Sequence, residues 1–439
     1  MTERSRRSAR RVLYGLVLAA LSVALVAPVA DAAAKTKRVS KRTGGGAPNG
    51  ESFNPSTSSN GRFVAFSSKA SDLIGNDGNS FIDIFVHDRK SGQTKRVSKP
   101  SGGGIPDDAS GRPSISGNGR FVAFRSDATN LIGSDGNTHA DVFVHDRKIA
   151  RTKRVSKRKG GATPNGDSGE PWISANGRFV AFESDATNLI GGDGNGKPDV
   201  FVHDRKTGRT KRVSKRKGGG DADGSSSRPS ISADGRFVAF ESTAKNLVGS
   251  DGNDKTDVFV HDRKAGRTKR VSKRVGGGDA NGFSDTAAIS ANGRFVAFTS
   301  SAKNLIGSDG NNHADVFVFD RKTGKTKRVS KPSGGGIPNG ESGQASISAN
   351  GRHVAFESIA KNLIGNDGND VYDVFVHDRK TGKTKRVSKP SGGGIPNGES
   401  FDGSISADGR FVAFDSGANN LISNDDNLWF DIFVRGPGR

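Results

Sequence analysis

The chain contains no cysteine, and this absence removes several classes of site at once. Without thiols there is no disulfide bond, no thiolate metal ligand and no cysteine nucleophile. Hydrophobic residues are scarce as well, at 31% of 439 residues, which is too few to fill one large core. The 26 phenylalanines argue against disorder, because disordered segments contain few aromatic residues. A core divided into many thin layers accounts for both observations.

Residues 1–32 are predicted to be a signal peptide. Five arginines between residues 4 and 11 precede an uncharged run over residues 12–30, and Ala30, Asp31 and Ala32 offer small residues where signal peptidase cuts. Cleavage after Ala32 is favoured, and cleavage after Ala34 is the alternative. The run is almost long enough to span a membrane, so an uncleaved anchor is a second alternative. The sequence thus predicts export to an extracellular, periplasmic or cell-wall location, with no stable membrane insertion after cleavage.

Negatively charged residues are fewer than positively charged ones. Lysine and arginine number 68 against 46 aspartates and glutamates, which gives a net charge of +22. Loss of the signal peptide removes five arginines and two acids and leaves +19. Such a charge attracts polyanions over long distances. Because the chain is predicted to be exported, the expected partner is an anionic cell-envelope polymer or a protein, not nucleic acid, and the chain is expected to be a monomer.

Three sequence markers recur with a strict period of 58 residues. Asn/Asp-Gly-Arg begins at Asn60, Asn118, Asn176, Asp234, Asn292, Asn350 and Asp408. Asp-Val/Ile-Phe-Val begins at Asp83, Asp141, Asp199, Asp257, Asp315, Asp373 and Asp431. Thr-Lys-Arg-Val-Ser begins at Thr36, Thr94, Thr152, Thr210, Thr268, Thr326 and Thr384. Seven such units fill the mature chain, so residues 33–439 are predicted to form a single domain.

Each unit has the pattern of four short strands. In the second unit these strands cover residues 113–116, 120–124, 141–146 and 152–156, and the Asn118-Gly119 pair between the first two favours a tight hairpin turn. Four antiparallel strands in a unit of this length are typical of a β-propeller blade.

The order of the markers predicts how the ring closes. The first Thr-Lys-Arg-Val-Ser, residues 36–40, precedes every other strand, and the last unit ends after its third strand at residues 431–434. Strand 36–40 is therefore predicted to complete the last blade and to remove its free edge. The predicted fold class is all-β: a seven-bladed β-propeller of four-stranded antiparallel blades, closed by the N-terminal strand. An open β-solenoid is the alternative.

The repeat resembles the blades of TolB-type, WD-repeat-like propellers. Ser-Ala-Asn/Asp-Gly-Arg-Phe-Val-Ala-Phe is similar to their Ser-Pro-Asp-Gly-Lys-x-Ile-Ala-Phe, and Asp-Val-Phe-Val-x-Asp followed by Thr-Gly-x-Thr matches the rest of those blades. The chain departs from that pattern in having Ala or Gly in place of the proline, and in an added Asp-Gly-Asn loop. The resemblance implies the propeller fold, and TolB itself is a periplasmic binding partner in envelope maintenance. Likeness of fold does not transfer that role.

The Asp-Gly-Asn loop suggests calcium as a cofactor. Asp-x-Asn places two oxygen ligands on a short turn, and the aspartate that begins the third strand offers another carboxylate. The alternative is that these residues simply form turns. The candidate ligands are Asp77, Asn79, Asp83, Asp135, Asn137, Asp141, Asp193, Asn195, Asp199, Asp251, Asn253, Asp257, Asp309, Asn311, Asp315, Asp367, Asn369, Asp373, Asp425, Asn427 and Asp431.

A second candidate site lies where the copies differ. Structural positions repeat from unit to unit, whereas the residue near the start of the first strand varies, and first strands line the central channel of a propeller. These residues are predicted to surround the channel mouth and to bind a ligand there, although drift at an exposed position is the alternative. The candidates are Asn54, Arg112, Glu170, Trp172, Arg228, Gln344 and Asp402.

No catalytic constellation is visible in the sequence. The repeated histidines, such as His145, are spread one per blade, no serine stands in a Gly-x-Ser-x-Gly elbow, and the boxes of sialidase-type propellers are missing. Basic residues on one face, such as Arg120 and Arg147, and on the exposed perimeter, such as Arg154 of the outermost strand, indicate either a polyanion-binding belt or a solvated edge. We therefore expect a non-enzymatic binding scaffold. The alternatives are a calcium-stabilised structural module and a propeller hydrolase or lyase with an axial active site.

Overall fold

The computed structural model describes residues 34–436, except for residues 76, 134, 159, 162, 250, 308 and 366. The predicted signal peptide lies outside the described residues. Within them the chain forms 28 β-strands, arranged as seven four-stranded antiparallel sheets. No helix in this part of the chain has the length and apolar character needed to cross a membrane.

The strands fall into four rings, counted from the propeller axis outward. The innermost strands are β2 (Ser52–Thr57), β6 (Ser110–Ile115), β10 (Ser168–Ile173), β14 (Ser226–Ile231), β18 (Ser284–Ile289), β22 (Ser342–Ile347) and β26 (Ser400–Ile405). The second strands are β3 (Phe63–Ser68), β7 (Phe121–Ser126), β11 (Phe179–Ser184), β15 (Phe237–Ser242), β19 (Phe295–Ser300), β23 (His353–Ser358) and β27 (Val412–Ser416). The third strands are β4 (Asp83–Asp88), β8 (Asp141–Asp146), β12 (Asp199–Asp204), β16 (Asp257–Asp262), β20 (Asp315–Asp320), β24 (Asp373–Asp378) and β28 (Asp431–Gly436). The outermost strands are β5 (Gln93–Arg96), β9 (Arg151–Arg154), β13 (Arg209–Arg212), β17 (Arg267–Arg270), β21 (Lys325–Arg328), β25 (Lys383–Arg386) and β1 (Lys35–Arg38).

Blades 1 to 6 each consist of four consecutive strands, from β2–β5 to β22–β25. Blade 7 combines β26, β27 and β28 with β1, which pairs antiparallel with β28 so that Lys35 lies opposite Gly436 and Arg38 opposite Phe433. The predicted fold class and its closure by the N-terminal strand are confirmed.

The hydrophobic core consists of thin layers between neighbouring blades. Between blades 1 and 2, for example, Ile84 and Val86 pack against Val122 and Phe124, and all four are buried. Phe124 also stacks on Phe143 of its own blade, with ring centroids 6.1 Å apart. Each layer needs only a few large side chains, which explains how a chain so poor in hydrophobic residues can fold.

The turn between the first two strands of a blade packs against the preceding blade. Gly119 has a φ of 73°, and a Cβ atom there would lie 2.1 Å from the Phe63 ring, so the turn requires glycine. The Arg147 guanidinium covers the same ring at 4.4 Å from its centroid, and Arg120 pairs with Asp146 across 2.6 Å. These arginines therefore contact the propeller itself, which favours the structural interpretation of the basic face over a polyanion-binding belt.

Candidate functional site: an axial cavity

A cavity of about 460 Å³ lies on the propeller axis. Its wall is built from the innermost strand of every blade, so each blade contributes the same positions of the repeat. The cavity wall includes every residue predicted to surround the channel mouth: Asn54, Arg112, Glu170, Trp172, Arg228, Gln344 and Asp402. Their role in ligand binding stays a prediction.

A bulge in the innermost strand of each blade positions the varying side chains of the cavity wall. The residue at the bulge, such as Arg112 with a φ of 54°, has a left-handed backbone, and the pairing of the first two strands shifts there. This conformation costs a non-glycine residue roughly 1–2 kcal/mol. It recurs in every blade with residues as different as Glu170, Thr286 and Gln344. The fold therefore imposes the backbone, and the chemistry of the side chain is free to vary.

A second ring of varying residues was missed by the sequence reasoning. It lies on the second strand of each blade, directly after Phe-Val-Ala-Phe, and consists of Ser67, Arg125, Glu183, Glu241, Thr299, Glu357 and Asp415. Three of its glutamates accept a hydrogen bond from the bulge of the next blade: Glu183 from the Arg228 amide at 3.0 Å, Glu241 from Thr286 at 2.9 Å and Glu357 from Asp402 at 3.3 Å. Variation inside an otherwise strict sequence marker was the signal that could have revealed this ring.

Three carboxyl groups at the junction of blades 6 and 7 hold their protons unusually tightly. Burial, with the neighbouring charge of Asp402, raises the pKa of Glu357 to about 7. Burial and the charges of Asp402 and Glu357 raise the pKa of Asp415 well above its ordinary value. Burial also raises the pKa of Asp402, although the Asn54 amide and the Arg112 charge oppose that rise. Carboxyl groups of this kind can give or take a proton near neutral pH.

Two arginines on the cavity wall remain open to a ligand. Arg112 Nε lies 3.2 Å from Glu170 Oε1, and Arg228 Nη1 lies 3.7 Å from Glu241 Oε1. Both arginine side chains are 53% exposed, so these ion pairs leave guanidinium N–H groups free for an anion.

Trp172 occupies a position with a structural role in other blades. Ser56 and Ser114 stand at the equivalent position, and their hydroxyl oxygens accept hydrogen bonds from the Ile115 and Ile173 amides at 3.1 and 3.0 Å. Trp172 is 43% exposed in the cavity wall. A large aromatic face here replaces a contact between blades, which indicates a role towards a ligand.

The repeated histidines lie on the third strands, away from the cavity wall. His145 contacts Thr152, with 3.0 Å between Nδ1 and Oγ1. Burial lowers its pKa to about 4, so the imidazole is neutral at physiological pH. These histidines pack the outer part of each blade.

The Asp-Gly-Asn loops bind an arginine side chain in every blade. In blade 1, Arg96 Nη1 lies 2.5 Å from Asp77 Oδ1 and 3.1 Å from Asp83 Oδ2, and the Ser98 hydroxyl donates to the other oxygen of Asp83 at 2.5 Å. The Asn79 amide donates to the Pro106 carbonyl at 3.2 Å. The equivalent arginines are Arg38, Arg154, Arg212, Arg270, Arg328 and Arg386.

The burial of these arginines differs from the exposed position expected for an arginine on an outermost strand. Arg154, which we expected on the exposed perimeter, is only 7% exposed and pairs with Asp135 and Asp141. That expectation was wrong, because the long loop folds back over the outermost strand. Calcium binding by these aspartates stays a prediction, and it would require the guanidinium to be displaced.

Thermal unfolding in the presence of calcium and of a chelator tests whether these loops bind calcium. Since a guanidinium already pairs with both carboxylates of each loop, we expect the same unfolding midpoint in millimolar calcium and in excess chelator. Differential scanning calorimetry at fixed ionic strength makes the measurement, and magnesium serves as the control for general divalent effects. A higher midpoint in calcium alone would restore the calcium hypothesis.

Comparison with solved structures places the fold among propellers that include enzymes. Oligogalacturonate lyase in complex with manganese matches with a TM-score of 0.54 and 12% identity, over 93% of this chain and 95% of that chain. An acylaminoacyl peptidase matches with a TM-score of 0.53 and 11% identity, over 88% of this chain and 51% of the peptidase, so this chain spans about half of it. TolB from Acinetobacter baumannii matches with a TM-score of 0.39 and 13% identity, over 86% of this chain and 80% of that chain. No protein-family model and no curated protein matches the sequence.

These findings bear on two predictions. The propeller fold predicted from the repeat is confirmed by the seven four-stranded blades and by their closure through the N-terminal strand. The expectation of a non-enzymatic scaffold is corrected, because the matches that extend over most of this chain with TM-scores above 0.5 are a lyase and peptidases. That expectation rested on the lack of a catalytic motif. The residues that line the axial cavity come from different blades, so they form no contiguous motif in the sequence.

The manganese of the lyase has no evident counterpart here. Among residues 34–436 that the structure describes, no group of three or more histidines, aspartates and glutamates is arranged to hold a metal ion. The reaction proposed for the axial cavity therefore uses only side chains of the protein itself.

Proposed function

We propose that the chain is an exported enzyme that cleaves an anionic, uronate-containing oligosaccharide in its axial cavity. The observation that carries this proposal is the convergence, on one cavity wall, of exposed arginines, an exposed tryptophan and Asp402, whose pKa is raised by burial and whose amide donates to Glu357 directly behind it. The breadth of the fold match to oligogalacturonate lyase supports the substrate class. The predicted signal peptide and the basic charge of the chain also suit a polyanionic envelope polymer.

Each group has a part that fits its chemistry. Arg112 and Arg228 bind the uronate carboxylate, which a guanidinium matches in shape and charge. Trp172 packs against the apolar face of a sugar ring. Together they would hold the sugar with its acidic C–H bond facing the wall formed by blades 6 and 7.

The proposed reaction is a β-elimination. Glu357, in its ionised form, takes the proton from the carbon next to the uronate carboxylate, and the electron pair forms a carbon–carbon double bond. The bond between the ring carbon and the leaving sugar oxygen breaks, and that oxygen takes a proton from Asp402. The pKa of Glu357 near 7 makes it a competent base at neutral pH, and activity is expected to rise as pH increases through that value.

The test measures turnover of polygalacturonate, polymannuronate, polyglucuronate and a polymer in which glucuronate alternates with glucosamine. A lyase produces an unsaturated sugar that absorbs ultraviolet light, whereas a hydrolase produces new reducing ends without that absorbance. We expect Glu357→Gln to lower turnover by about 10²–10⁴-fold, and Arg112→Ala to raise KM because it removes a contact to the substrate carboxylate. Lys206→Ala, an exposed change away from the cavity, is the matched control. A correctly folded chain that turns over none of these polymers would overturn the proposal.

A further inference from the structure

The mouth of the axial cavity has two chemically different sides. The arginines near it, Arg112, Arg125 and Arg228, belong to blades 2 and 4, and each is paired with an acid, as Arg125 is with Asp127 at 2.9 Å. Blades 6 and 7 present carboxylates and aromatic rings instead. We call this second side the acidic–aromatic side, made of Glu341, Glu357, Tyr372, Glu399, Phe401, Asp402, Asp415 and Phe430.

Aromatic rings form a continuous row on this side. The Tyr372 and Phe401 rings have centroids 5.5 Å apart, and those of Phe401 and Phe430 are 6.1 Å apart. All three rings are partly exposed, and Phe401 directly precedes Asp402 of the cavity wall. The equivalent positions in blades 2 and 3 hold only Gly111, Ala140, Gly169 and Pro198. The row is thus a local specialisation and not a part of the repeat.

The exposed carboxylates of this side lack the lysine that pairs with the equivalent carboxylate in blade 1. Glu51, Glu341 and Glu399 are equivalent, and in blade 1 Lys69 binds Glu51 at 2.9 Å. The residues at the lysine position of blades 6 and 7 are Ile359 and Gly417, which carry no charge. Glu341 has Tyr372 as a neighbour instead, with its hydroxyl 3.5 Å from Oε2.

Behind them lie carboxyl groups without a direct ion pair, although the charge of Arg112 still acts on Asp402. Within the described ranges, neither Glu357 nor Asp402 nor Asp415 forms an ion pair with a lysine or arginine. Asp415 is only 5% exposed, and among the residues that the structure describes its Oδ1 atom has no hydrogen-bond partner. Its partner in the strand register is Phe401, and it interacts electrostatically with Asp402 and Glu357, so the unpartnered oxygen belongs to the same cluster. Unpaired buried oxygens are uncommon and need a physical explanation.

We propose that the acidic–aromatic side binds an ammonium group, so that the substrate carries an amino sugar next to its uronate. Aromatic faces combined with uncompensated carboxylates are the usual recognition site for an organic cation. The arginine side receives the uronate, and the opposite charges of the two sides fix the direction in which the chain of sugars lies. The uronate half of this inference rests on the function proposed above, whereas the ammonium half stands on the contacts described here.

Isothermal titration calorimetry with two matched probes tests the inference without turnover. The probes are an oligomer of glucosamine, which carries free amines, and the same oligomer with every amine acetylated. We expect the free-amine oligomer to bind about tenfold more tightly, a preference that weakens as salt increases. Equal binding of the two oligomers would overturn the inference.

Variants distinguish binding of the amine at the acidic–aromatic side from its general attraction to any surface carboxylate. Tyr372→Ala and the double variant Glu341→Gln with Glu399→Gln are each expected to remove most of the preference for free amines. Glu51→Gln is the matched control, because Lys69 already neutralises the equivalent carboxylate. A loss in Glu51→Gln as large as that in the double variant would contradict the assignment. Amine binding without turnover of any uronate polymer would refute only the proposed function, and turnover without a preference for amines would refute only this inference.

Discussion

Deletion of residues 33–42 is expected to destabilise the entire propeller, with a fall in the unfolding midpoint of roughly 10 °C or more. The deletion removes β1, so β28 loses its neighbour and blade 7 gains a free edge. It also removes Arg38, the ion-pair partner of Asp425 and of the fully buried Asp431. Leaving buried carboxylates unpaired costs about 3–5 kcal/mol. The deletion also removes the buried Val39, and exposure of the apolar side chains that pack against it adds to this cost.

The strand also connects blade 7 to blade 6, which is why the effect should reach the whole ring. The Thr36 hydroxyl donates to the Lys389 carbonyl at 2.8 Å, and the Ser391 hydroxyl donates to the Thr36 carbonyl at 2.9 Å. Calorimetry on a variant that lacks only residues 1–32 gives the reference midpoint. A synthetic peptide covering residues 34–42 should restore part of the loss. Identical midpoints for the two truncations would show that the strand does not close the ring.

Arg154→Met is expected to cost about 3–5 kcal/mol of folding free energy, although it changes one residue on an outermost strand. The guanidinium lies between Asp135 and Asp141, and both carboxylates are at least 95% buried. Methionine fills a similar volume but leaves both of them without a cation. Urea unfolding monitored by tryptophan fluorescence measures the difference, and Arg120→Met is the control. Arg120 pairs with Asp146 near the surface and is 38% exposed, so its loss should cost much less than the loss of Arg154.

The pH dependence of the Arg154→Met effect follows from the burial of its partners. Burial and the charge of Asp141 raise the pKa of Asp135 to about 7, above its unfolded value. A carboxyl group with a raised folded pKa stabilises the fold when protonated, and this contribution is lost as the pH rises through the folded value. Without Arg154 the pKa rises further, so the variant should lose more stability at pH 8 than at pH 5. An effect independent of pH would mean that these carboxylates are not buried as ions.

The sequence was sufficient to predict the architecture because every blade obeys one period. Strand 36–40 stands before the first complete unit and the last unit stops after strand 431–434, so closure of the ring could be inferred by counting. The position of Arg154 could not be inferred in this way. Its strand is outermost, but the Asp135 loop that covers it is long, and nothing in the period says where a long loop folds.

The cavity was predictable in part for a similar reason. Arg112 and Asp402 vary at one position of an innermost strand, which placed them on the axis. Glu357 and Asp415 stand on the next strand out, where side chains are normally buried between blades, so they were missed. Their pKa values depend on burial and on the charges of neighbouring carboxylates in blades 6 and 7. The distances between these groups are not encoded in the spacing of one repeat.

The pairing of β1 with β28 sets how the molecule responds to tension. Lys35 lies opposite Gly436, so the two ends of the described chain leave the ring side by side at the same end of one ladder. A force that pulls these ends apart loads the first pair of that ladder alone and opens the remaining pairs one after another, like a zipper. The ring is thus mechanically weak at a single seam, and a chain tethered at both ends would open there first.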